Sequence, residues 1–123
     1  MVLTKSEMEI MDVFWQSGTA LSRADLLEHS EEKNWKDSSV HILLNGLLKK
    51  NAIRESGFVK RSKTYGRTFL PTMTREEYFA STVFSYRYKP DMLGLLTALM
   101  NRPEATEAVC EELEKLLESK KGK

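Results

Sequence analysis

The side chains in this chain best suited to chemistry are donors to phosphates and base edges. Between Lys49 and Arg67 stand seven cations (Lys49, Lys50, Arg54, Lys60, Arg61, Lys63 and Arg67) against one acid, Glu55, a local net charge of +6. The whole chain carries only +1. The positive field is therefore concentrated in one segment, as an electrostatic footprint for phosphates is. A solvated basic hairpin would account for the same charge. Just upstream, Ser38, Ser39, His41 and Asn45 are short or planar polar groups able to reach base edges or phosphates. A plain solvated helix face is the competing explanation. Ile42, apolar on that same face, suits a thymine methyl or a packing contact to the hairpin. Lys60, Arg61 and Lys63, with Lys36, Lys49 and Arg67, are placed to position a protein on phosphates.

Catalytic chemistry finds no comparable support. The chain has no Gly-rich phosphate loop, no Gly-x-Ser-x-Gly and no His-Glu-x-x-His. Its two histidines, His29 and His41, fall on different elements, and with Cys110 they make no recognisable ligand spacing. No enzyme activity, metal or cofactor is expected. A single cysteine cannot form an internal disulfide and suits a reducing compartment. No run of 18 uncharged apolar residues exists, so no membrane insertion is expected. Met1–Glu7 lacks a basic region followed by an apolar stretch, which argues against a secretory signal and for a cytoplasmic location. With 123 residues, 41% apolar and 30% charged, the chain has the composition of one or two small folded domains.

The elements that must hold these groups are legible from capping and periodicity. Thr4 and Glu7 form a capping box before Met8, Met11, Phe14 and Trp15, and Gly18 ends that helix. Ser22, with Asp25 three residues on, opens a second helix. Trp35 precedes a third helix over 37–50, in which Val40, Leu43, Leu44, Leu47 and Leu48 form a core stripe. Asn51 suits the left-handed position that closes it. Two extended runs, Ala52–Val59 and Tyr65–Leu70, flank a basic turn and predict a hairpin whose wing covers 56–67. A second box, Thr74 to Glu77, opens a helix bearing Tyr78, Phe79 and Phe84. Met92, Leu95, Leu96 and Leu99 mark another helix, and Leu113, Leu116 and Leu117 the last.

The expected fold class is mainly α with a small β-hairpin wing. A winged helix-turn-helix covers 1–73, and three short helices cover 74–123. So few residues rarely close a core alone, and the apolar stripes through Tyr78, Phe79, Phe84, Met92, Leu95, Leu96, Leu99, Leu113, Leu116 and Leu117 point to dimerisation through that half. The winged-helix order predicts that helix 37–50 enters the major groove of double-stranded DNA while the wing follows the adjacent backbone. Two other readings stand beside it: a protein-interaction module with little direct base readout, and a regulator sensing a small molecule at the dimer seam through Tyr78, Phe79, Phe84, Tyr86 and Tyr88.

Glu7–Trp15, the run Trp35–Ile53, the hairpin ending Phe69-Leu70-Pro71 and Thr74-Arg75-Glu76-Glu77-Tyr78 together resemble the penicillinase-repressor (BlaI/MecI/CopY) family of winged-helix regulators. The family pattern is kept at Trp35, Val40, Leu43, Leu44, Leu47 and Lys50. It is departed from at Lys36, where a hydroxyl residue is usual, and at Ser39, Gly46 and Asn51, where Thr, Arg and Gly are usual. The resemblance implies a homodimeric repressor, each winged domain reading half of a palindromic operator. In the β-lactam branch it implies a membrane sensor that triggers proteolysis in the dimerisation half. The break Met100–Pro103 lies in about that region, without an evident scissile pattern. The copper branch carries paired Cys motifs, and the lone Cys110 does not supply one.

Overall fold

The structure is a computed structural model that describes residues 1–29, 35–61 and 64–122. The chain divides into two compact units, Met1–Thr82 and Val83–Lys123.

In the first unit, α1 (Lys5–Ser17) starts as its sequence requires. The Thr4 hydroxyl accepts from the Glu7 amide, and the Glu7 carboxylate accepts from the Thr4 amide at 2.8 Å. Gly18, at φ 68°, closes the helix in the left-handed conformation, its amide donating to the Phe14 carbonyl. The expected box at Ser22 and Asp25 opens α2 (Arg23–Glu28). Helix α3 (Asp37–Lys49) follows, with Lys36 at its N-cap making no side-chain cap. Its other end is a Schellman closure. Asn51 sits at φ 59°, the Ala52 amide donates to Leu47 O and the Asn51 amide to Leu48 O. Trp35 is half-buried against the core before α3, its Nε1 donating to Glu9 at 3.3 Å.

Two strands form the hairpin, β2 (Ile53–Arg61) and β3 (Thr64–Pro71). A further strand, β1 (Leu21–Ser22), was not expected from the sequence. It pairs with β3 at Phe69 and Thr68, giving an antiparallel sheet in the order β1-β3-β2. Two residues are too few to show an alternating pattern. The core of the unit joins Ile10, Met11 and Phe14 of α1, Leu26 of α2, Val40, Leu44 and Leu47 of α3, and Ile53 and Phe69 of the sheet. All three helices thus bury one stripe against one sheet face.

Helix α4 (Arg75–Val83) follows the sheet. The sequence assigns it with the C-terminal helices, yet through Thr82 it belongs to the first unit. Tyr78, expected among the dimerisation residues, is buried there, its hydroxyl accepting from the Leu3 amide and its ring 6.0 Å from that of Trp15. Trp15 Nε1 donates to Met73 O at 3.0 Å, and Arg75 lies over the Trp15 ring while pairing with Asp12. A tyrosine spaced for a helix stripe gives no sign of which unit the stripe faces.

The second unit contains α5 (Met92–Met100) and α6 (Glu107–Lys121), capped by Asp91 and Thr106. None of its described residues is buried. Met92, Leu96, Leu99, Leu116 and Leu117 are exposed, while Phe84, Leu95 and Leu113 are half-buried.

Candidate nucleic-acid interface

Helix α3 sorts its side chains cleanly. Val40 and Leu47 are fully buried and Leu44 nearly so. The opposite stripe of Ser38, His41, Ile42, Asn45 and Lys49 is exposed, following from helical geometry once the leucine stripe is inward. Ile42 is 67% exposed. Its side chain is thus largely open to solvent. Ser39 is half-buried at the edge of the stripe. Asn45 Nδ2 and His41 Nε2 lie 3.3 Å apart, one turn apart on the same face. Each can orient the other's donors toward a partner.

Beside this stripe runs a groove of roughly 390 Å³ between α2, α3 and β3. His41 and Asn45 line it from α3, Arg67 and Phe69 from β3, and Arg23 from the start of α2. Arg67 lies with its guanidinium 5.4 Å above the Phe69 ring and pairs with Glu55 across the hairpin. Lys36 and Lys60 are exposed. Lys63 and the side chain of Arg61 lie outside the described residues. The described groups thus bring the polar face of α3 and the cations Arg67 of β3 and Arg23 of α2 to one groove, with donors suited to base edges on one wall and to phosphates on the other.

Among the described cations between residues 49 and 67, Lys50, Arg54 and Arg67 are engaged within the protein, Arg54 donating to the Glu55 carbonyl at 3.5 Å. Arg67 is held by Glu55. Lys50 turns inward, donating to Glu7 Oε1 at 2.6 Å and to Val2 O at 3.0 Å. Burial alone would raise the Glu7 carboxyl, but the Lys50 ammonium and the Thr4 amide and hydroxyl outweigh it and hold its pKa below the ordinary value. This pair ties the first turn of α1 to the last of α3 and so fixes the pitch of the polar stripe.

Arg23 was not singled out from the sequence, although a signal was present. A cation in the first turn of a helix opposes the helix dipole, so its place right after the Ser22 cap suggests a use outside the helix. Glu55 was seen only as the lone acid in a basic segment, and no local pattern marks it as the partner of Arg67.

The sequence profile of the family described as penicillinase repressor matches residues 3–119. A relative from Latilactobacillus sakei, described as an uncharacterized 16.5 kDa protein in the ptsI 3′ region, is 31% identical over 124 residues, covering 96% of this chain and 80% of that protein. Among the described residues no helix is long and apolar enough to cross a membrane.

Proposed function

This chain belongs to the penicillinase repressor family of transcription regulators, and on that premise we propose that it is a homodimeric repressor whose first unit reads half of a palindromic operator and whose second unit joins the two copies. The observation that carries the reading is the groove in which His41 and Asn45 of α3 face Arg67 of the wing. Ser38, His41, Ile42 and Asn45 meet base edges in the major groove, and Lys36, Lys49, Lys60, Arg61, Lys63, Arg67 and the newly located Arg23 meet phosphates. A helix face with neutral donors and a rim with cations divides the work as sequence readout and positioning require.

Dimerisation is supported by the second unit's lack of any buried described residue. Leu96 and Leu99 on α5 and Leu116 and Leu117 on α6 leave apolar surface that water would otherwise cover. A second copy is the economical cover, because linking two weak half-site contacts multiplies affinity.

A mobility-shift titration against the duplex upstream of the chain's own gene tests the reading. Specific binding with a log–log salt slope of several phosphates is expected. Failure to shift any nearby promoter fragment at about 50 mM salt would remove it.

A further inference from the structure

Phe58 owes its direction to an irregularity in the wing. The β2–β3 ladder pairs Glu55 with Phe69 and then Gly57 with Thr68, leaving Ser56 unmatched, a one-residue bulge. Opposed residues of an antiparallel pair share a face, and faces alternate along each strand. Phe69 is buried on the face that meets the helices, and Arg67, two residues away, lies on that face over its ring. Beyond the bulge Phe58 opposes Arg67, so Phe58 shares the face that lines the α2–α3–β3 groove. Had the ladder run on from Glu55 and Phe69 with no bulge, Phe58 would oppose Gly66 and turn to the other face. Gly57 carries the distortion at φ 158°.

The bulge therefore delivers an aromatic ring to the groove side of the wing and leaves it 70% exposed. On its face of the described hairpin stand Lys60, two residues along β2, and Arg67, directly opposite, and the single acid, Glu55, is already paired with Arg67. An apolar ring within a cationic surround fits a partner with an anionic outside and an apolar interior, which is the cross-section of a nucleic-acid groove.

Resting on the DNA-binding reading above, we propose that Phe58 is an apolar contact to the minor groove of the duplex, beside the base pairs under α3. Its ring lies against deoxyribose and base-pair edges there, and Lys60 meets the bordering phosphates. Aromatic and aliphatic wedges are a recurrent means of gripping and bending this groove, and their contribution is not electrostatic.

That last property makes the test specific. The full-length chain and its Phe58→Ala, Phe58→Leu and Lys60→Ala variants are titrated onto the duplex from upstream of its own gene and onto an A·T-rich duplex of equal length, with and without the minor-groove binder distamycin. Phe58→Ala is expected to lose about tenfold in affinity with its salt slope unchanged, the scale of one lost apolar contact. Phe58→Leu should keep most of the affinity. Lys60→Ala should lower the slope by about one. Distamycin should weaken the parent and have little further effect on Phe58→Ala. Because the ring is solvent-exposed, the alanine variant should melt with the parent. Parent-like binding and parent-like distamycin sensitivity in Phe58→Ala, alongside weakened Lys60→Ala, would overturn the wedge and leave the DNA reading intact. A parent that binds no duplex would overturn both.

Discussion

Glu7 occupies the space that a side chain on residue 46 would need. Its Oε2 lies 3.0 Å from where a Cβ on Gly46 would stand. The carboxylate cannot easily yield, because its other oxygen accepts from the Thr4 amide and the Lys50 ammonium. Glycine inside a helix costs about 1 kcal/mol relative to alanine; here the missing methyl admits the acid that joins α1 to α3. This supplies a reason for a residue that helix propensity alone disfavours. Gly46→Ala in the parent is therefore expected to gain nothing or to destabilise by up to about 1 kcal/mol, the propensity gain being cancelled by displacement of the carboxylate. In a Glu7→Ala background the same change should stabilise by about 1 kcal/mol. Urea unfolding of the four proteins measures the coupling. Equal effects in both backgrounds would show that the two positions do not interlock.

Acid should reveal the same pair. A carboxyl whose folded pKa is depressed contributes stability that is fully present above its ordinary value of 4.5 and is lost as pH falls through the folded value. Thermal unfolding from about pH 5 to about pH 3 should therefore cost the parent more Tm than it costs Glu7→Gln. At neutral pH the glutamine variant should be less stable by about 1–3 kcal/mol, because Lys50 loses its charged acceptor. A parallel fall in Tm for both proteins would assign the acid sensitivity to other carboxyls.

Leu99 and Leu116 are exposed on helices with no buried residue. Replacing either with Asp leaves the first unit's core untouched. Sedimentation should then report monomers, and operator affinity should fall by about 10²-fold or more. A variant that sediments as a monomer yet binds as tightly as the parent would separate dimerisation from DNA binding.

The Glu55–Arg67 pair sets two roles of one arginine against each other. Held by Glu55, Arg67 is less available to a phosphate. Glu55→Gln is expected to raise affinity for duplex DNA generally, to steepen the salt slope by about one, and to narrow the gap between specific and random sequence. Weaker binding in this variant would mean instead that Glu55 holds Arg67 in its working position.

Much of the first unit was legible because its signals are local. The box at Thr4 and Glu7, the left-handed Asn51 and the leucine stripe of α3 each depend on residues within one or two turns, and all three appear as the sequence implies. Contacts between distant residues were not legible. Glu7 reads as a capping partner, and nothing in its neighbourhood announces Lys50, 43 positions away. The β2 bulge also escaped, since alternation in a short strand cannot show one residue left unmatched. The packing of Tyr78 beside Leu3 and Trp15 escaped for a related reason: periodicity identifies a buried face but not what buries it. At the candidate interface the exposed polar stripe of α3 was legible, whereas the groove needed β3 and Arg23 brought beside it.

The two residues of β1 make β3 an interior strand rather than one arm of a free ribbon. Leu21 and Ser22 saturate the outer margin of β3 at Phe69 and Thr68, so the root of the wing is clasped from both flanks while the portion beyond Gly66 is clasped from one. Amide protons should exchange slowly at the root and faster toward the turn. The wing is thus a cantilever with a fixed foot, and a load on its far end is felt first at the opening of α2.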